Sequence, residues 1–176
     1  MEYQDIGESD MEEEKVTQML NIVVAVDGSQ ESMWACEWAC RNLLPAHKIV
    51  DKPYKFTLLH VRSPLCVSSG PAYILSTEVI CLLELDEIRT TQKILKRALD
   101  VCNCYNVKAE TQVVTGETKP KICAAAHQLG AHLLVMGSHS HGFFIRAIKG
   151  SVSDYCTRNA KCPVVVVNKK VFEGLK

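Results

Sequence analysis

No stretch of this 176-residue chain approaches the ~20 consecutive apolar residues that a membrane-spanning helix needs. The N-terminus has no basic segment running into an apolar one, so a secretory signal is not expected, and its acidity is wrong for an organellar transit peptide. There is no Lys/Arg block and no aromatic platform motif, which removes the usual signs of a nucleic-acid binder. The G-x-G-x-x-G fingerprint is missing. So is the Walker A loop: Gly137 and Gly142 have its first spacing, but Phe143 stands where the lysine belongs. The expected setting is the cytoplasm, with the nucleus also open to the chain, and with neither membrane nor nucleic acid as a partner.

Cysteine, by contrast, is plentiful, with nine residues. The number is odd and the spacings irregular, so a disulfide framework is not expected. Most of these residues sit in apolar contexts, where cysteine behaves as a small buried hydrophobe. Cys36 and Cys40, four apart on one helical face, read as two buried thiols. Cys102-x-Cys104 is too close and too isolated for a zinc site. The zero net charge hides an asymmetry: residues 1–15 hold seven acids and one base, leaving 19 bases against 13 acids elsewhere. The acidic segment 1–18 reads as a disordered tail, residues 19–170 as one domain, and 171–176 as a C-terminal tail.

Along that domain, strand and helix patterns alternate. Asn21–Val26 is a β-branched strand stopped by Asp27-Gly28-Ser29, and Ser29 can cap the helix Glu31–Leu44 that Pro45 ends. Trp34 and Trp38 on that helix read as core packing. Phe56–Val61 is a second strand, in which His60 reads as a packed histidine and receives no role. Arg62–Ser76 reads as a mobile loop. Thr77–Asn103 is a long helix whose Ile88, Leu95, Ala98 and Cys102 form a buried stripe, with Arg89, Lys93, Lys96 and Arg97 on the solvated side. Lys108–Thr115 is a strand of mixed polarity, placed near an edge. A three-turn helix follows, turning Ile122, Ala125, Ala126 and Leu129 inward and ending at Gly130. Leu133–Met136 is an apolar run suited to a strand buried on both faces. A helix starting at Ser151, with Asp154 three residues on, leads through Pro163 to a last strand, Val164–Val167. Short βα loops and right-handed crossovers make this a five-stranded parallel sheet with helices on both faces.

The segment between the last two strands carries the chemistry. A buried strand empties at Gly137 into a Gly/Ser/His loop that feeds a helix N-terminus, where unpartnered amides and the positive end of the macrodipole welcome an anion. The plainer alternative for Gly150-Ser151 is a helix cap, which uses the same amides. His139 and His141 read as loop histidines rather than metal ligands. The pattern Gly137, Ser140, Gly150, Ser151 closely resembles the G-x-x-G-x9-G-[ST] nucleotide loop of the universal stress protein family, and the run GSVSDYCTRNAKCPVVVV is similar to its plant-type, single-domain members. The resemblance extends from Asn21 to Lys169. Ser140 departs from it, occupying the second glycine position with a hydroxyl and a Cβ, which counts against tight triphosphate binding.

The resemblance implies strand order 3-2-1-4-5 in a Rossmann-like, adenine nucleotide alpha hydrolase-like fold. It implies ATP, ADP or AMP as the ligand, with Mg²⁺ an optional companion. It places Val61 at adenine through main-chain atoms and Asp27 at ribose; Asp27 read by itself is equally a turn residue bonding nearby amides. Gly137, His139, Ser140, Gly150, Ser151 and Ser153 would line the phosphates, with Ala25, Met136 and Val152 completing the site. It also implies a homodimer through Val164–Val167. The expectation is a binding or switch module in a stress response; a slow ATP hydrolase at the same site, or a nucleotide-free scaffold or chaperone, are the alternatives.

Overall fold

The structure, a computed structural model, describes residues 19–44, 53–64, 76–138 and 152–174. Its five strands are β1 (Leu20–Ala25), β2 (Tyr54–Arg62), β3 (Glu110–Thr115), β4 (Leu133–Gly137) and β5 (Val164–Val167). The helices are α1 (Gln30–Asn42), α2 (Thr77–Cys104), α3 (Thr118–Gln128), α4 (Val152–Asn159) and α5 (Lys169–Glu173). All pairings are parallel, in the order β3-β2-β1-β4-β5, as expected. Among the described residues no helix is long and apolar enough to cross a membrane.

The β-branched and apolar runs of β1 and β4 occupy the centre, where both faces are covered, so their side chains are buried on both. Alternation along each strand then divides the interior in two. Ile22, Val24, Leu58 and Val135 face α1 and α2, together with Val167 and Phe172. Val23, Ala25, Leu59, Leu134 and Met136 face α3 and α4. β3 is an outer strand and largely exposed, in keeping with its mixed polarity.

On the first face, Cys36 and Cys40 of α1 meet Cys102 of α2, with the Cys36 Sγ 3.7 Å and the Cys40 Sγ 3.9 Å from that of Cys102. The three thiols are buried, as the sequence suggested for the first two. On the second face, burial and the neighbouring Cys123 push the Cys156 thiol up to about 12.

Some expectations need correction. Ile88 is not part of a buried stripe: it is 40% exposed, and only Thr91, Ala98 and Cys102 of α2 are buried. The helix is 28 residues long, about 42 Å at 1.5 Å per residue, and nearly all of its first half, residues 77–90, is exposed. Leu95 is only half-buried, as are Trp34 and Trp38, which border the core. β1 begins and ends one residue earlier than expected. Lys169–Glu173, which spans the expected start of a C-terminal tail, is a helix capped by Asn168. Its Phe172 stacks on Trp34 with ring centroids 5.7 Å apart.

Candidate functional site

In a parallel sheet with helical crossovers, every helix N-terminus lies at the carboxyl edge of the strands. The chain leaves β1 for β2 on one side and returns from β3 to β4 on the other, so the β1/β4 boundary is the topological switch point where open α/β sheets hold ligands. A cavity of about 370 Å³ opens there. It is walled by Ala25 of β1 with Val26 and Asp27 just after it, Leu59 and Val61 of β2, and Met136 and Gly137 of β4. Ser29 and Ser32 of the α1 start, Thr118 and Ile122 of α3, and Val152 and Ser153 of α4 complete it.

The β1–α1 turn is tightly wired. The Asp27 carboxylate accepts hydrogen bonds from the Ser29 amide (3.0 Å) and hydroxyl (2.6 Å). Ser29 caps α1 by accepting from the Ser32 amide at 3.1 Å. The Ser32 hydroxyl donates to the Ser29 carbonyl at 3.0 Å. Gly28 between them has φ +84°, the left-handed region that suits glycine. The turn-residue reading of Asp27 therefore holds locally, and the same side chain borders the cavity.

Gly137 is fixed by proximity. A Cβ at this position would run into the backbone of Glu31 and the Ser32 amide nitrogen, so glycine lets the end of β4 lie directly against the first turn of α1.

The main chain at the end of β2 is open. Residues of a parallel strand bond alternately to one neighbour and then to the other. The Gly116 amide donates to the Arg62 carbonyl (3.0 Å), so Arg62 faces β3. The Val26 amide donates to the Leu59 carbonyl (2.9 Å), so Leu59 faces β1. Val61 therefore also faces the β1 side, but pairing with β1 stops at Ala25↔Leu59. The N–H and C=O of Val61 point at the cavity with no partner among the described residues. Beside them, His60 Nδ1 lies 2.7 Å from the Val26 carbonyl. A carbonyl only accepts, so Nδ1 carries the proton.

The electrostatics come from backbone. Among the described residues no Lys or Arg lines the cavity, and Asp27 is its one charged side chain. The positive ends of α1, α3 and α4 all meet its rim, each worth about 0.3–1 kcal/mol toward an anion. The walls are otherwise mostly apolar. The arrangement can enclose a flat apolar ring, offer one donor and acceptor pair to its edge, and direct amide dipoles at an anionic group.

Of the residues singled out from sequence, Ala25, Asp27, Val61, Met136, Gly137, Val152 and Ser153 converge on this one cavity. His139, Ser140, Gly150 and Ser151 lie outside the described residues. Sequence reasoning missed Val26, Ser29, Leu59, Thr118 and Ile122 as lining residues, and Ser32 altogether. The available signal was the capping serine Ser29 directly after a strand's carboxyl end.

Residues 19–168 match the sequence model of the Universal stress protein family. A Universal stress protein A-like protein of Arabidopsis thaliana is 30% identical over 80 residues, a match that spans 46% of either chain. Universal stress protein YxiE of Bacillus subtilis is 29% identical over 153 residues, covering 83% of this chain and 97% of that one. Among solved structures, an Arabidopsis thaliana universal stress protein family protein with AMP bound superposes with a TM-score of 0.63 at 22% identity, covering 88% of this chain and 94% of the other. A universal stress protein in complex with cAMP gives 0.62 at 23%, with 84% and 96% covered.

Proposed function

The chain belongs to the universal stress protein family, and from that premise we propose that the cavity at the β1/β4 boundary binds an adenine nucleotide as a stabilising and switching ligand. The observation that carries this reading is the convergence of three strand ends and three helix N-termini on a cavity of about 370 Å³, within the ~300–1,000 Å³ usual for small-molecule sites. Ala25, Leu59, Ile122 and Met136 would form the apolar bed for the base. The open main chain of Val61 would meet its edge, and Asp27 would accept from ribose hydroxyls. Gly137, Val152 and Ser153 would approach the phosphates through amides and a hydroxyl, with His139, Ser140, Gly150 and Ser151 as further phosphate residues. The relatives of the same fold that hold AMP and cAMP support the ligand class; AMP, ADP and ATP are all candidates, with Mg²⁺ as a companion of the phosphates. No titratable side chain other than Asp27 lines the described part of the cavity, and that carboxylate is engaged by Ser29. A binding module is therefore the reading we adopt.

The test is mass spectrometry of the gently purified, then denatured, protein. A stoichiometric adenine nucleotide is expected. If the site arrives empty, ATP with Mg²⁺ at a hundredfold excess over Kd should stabilise the fold by about 2.7 kcal/mol. A flat melting temperature would overturn the reading and move a nucleotide-free scaffold to first place.

We further propose that β5 mediates a homodimer. β5 is an outer strand, and Val164, Val165 and Val166 remain half-exposed. Such an edge invites pairing. Pro163 and Val167 accept bonds from the β4 side, so the Val166 amide points outward. Val166→Pro removes an outward donor while sparing the β4 ladder; light scattering should then report a monomer where the native chain is dimeric.

A further inference from the structure

His60 is 8% exposed, and its ring lies on the same side of the sheet as Leu58, away from the cavity. It does not line the cavity, and its Nδ1–H is satisfied by the Val26 carbonyl. The ladder says more. The Val26 amide already makes the bond to the Leu59 carbonyl, which is one half of the next pairing of β1 with β2. The other half would be the Val61 amide donating to the Val26 carbonyl. That bond is absent: the Val26 carbonyl instead accepts from His60 Nδ1 at 2.7 Å, and pairing ends at Ala25↔Leu59. The imidazole thus stands where the ladder would have continued, as the partner of this carbonyl in place of the Val61 amide.

We infer that His60 is a positioning residue that stops the β1–β2 ladder one bond short and so leaves the Val61 N–H available, beside its C=O, to read the edge of a bound purine. The identity of the purine rests on the adenine-nucleotide reading above; the opening of the strand end does not. A side-by-side N–H and C=O matches adenine, which offers a ring-nitrogen acceptor beside the N6 amino donor. Guanine would turn its O6 acceptor toward the Val61 carbonyl. His60 thereby sets base preference from the far side of the sheet. Removing its side chain frees the Val26 carbonyl to close on the Val61 amide, which takes away the donor that the ring nitrogen needs.

The experiment uses the full chain and two readouts. In the unaltered, ligand-free protein, the Val61 amide is expected to exchange with solvent far faster than that of Leu59, measured by NMR hydrogen exchange, and to become protected on adding ATP. In His60→Leu the Val61 amide should be protected without ligand, and ATP should bind about tenfold more weakly, with the preference for ATP over GTP narrowed. His60→Asn places an amide N–H close to the position of Nδ1–H and should keep ATP affinity within about threefold of the native value. A slowly exchanging Val61 amide in the unaltered protein would overturn the inference whether or not the variants fold. So would a His60→Leu protein with native Val61 exchange and a native ATP to GTP ratio. If ATP fails to bind the native chain while the exchange rates behave as described, the nucleotide reading falls and the positioning role of His60 stands.

Discussion

The same strands line two unlike interiors. Leu58 and Leu59 are neighbours in β2 and both essentially unexposed, yet they belong to different worlds. On the Leu58 side the long helices α1 and α2 close over the sheet, and three thiols, two tryptophans and Phe172 fill or border the space. On the Leu59 side α3 and α4 are only 11 and 8 residues long, and the space above the carboxyl edge stays open as the cavity. The difference shows where this parallel sheet has room for a ligand: on the Leu59 side, where the first turns of α3 and α4 border the cavity. Packing then supplies stability on one side and leaves room for binding on the other.

The sharpest way to break this division is at Gly137, where the closed side is tightest. Gly137→Ala places a Cβ against the backbone of Glu31 and Ser32, which no side-chain rotation relieves. A stability loss of about 3 kcal/mol in urea unfolding is expected, at the upper end of overpacking costs. ATP binding should weaken with it, because the displaced α1 turn carries Asp27 and Ser29. A matched pair comes next. Leu58→Ala should cost about 3–4 kcal/mol by leaving a sealed void. Leu59→Ala should cost about 1 kcal/mol less, since the space it vacates joins a cavity that water already reaches. Equal losses would mean that the two interiors are equally sealed. The smallest effect concerns chemistry rather than stability. In the native state a thiol reagent should modify Cys81 and Cys104, which are exposed. Cys36, Cys40 and Cys102 should react only after unfolding. Cys156 should join them, since a thiol pushed up to about 12 is protonated and unreactive at neutral pH.

Much of the division was written in local pattern. The apolar runs Leu133–Met136 and Val164–Val167 have one reading as buried or β-branched strands, and they fold as such. Ser29 announced the start of α1, and its capping bond is present. Ile88 shows the limit of periodicity. A repeat along a helix says which residues share a face, but not whether anything lies opposite, and among the described residues the first half of α2 has little against it. Val26 was read as a strand residue on composition; a histidine 34 positions away takes its carbonyl. The Trp34–Phe172 stack joins segments 138 residues apart, which no local signal reports. For the cavity, the residues at strand ends were legible because topology alone puts them together. Ile122 and Thr118 were not, since their place depends on how α3 packs.

The strand order carries a consequence for synthesis. Of the five strands, β1 is the first to leave the ribosome, yet it lies at the centre of the sheet, with β2 on one side and β4 on the other. Its second partner, Leu133–Gly137, emerges more than a hundred residues later, about 5–20 seconds at ordinary elongation rates. Throughout that interval Ile22, Val23 and Val24, all essentially unexposed in the finished fold, sit on a strand with one open edge. The nascent chain therefore offers a β-branched, uncharged segment to any neighbour able to pair with it.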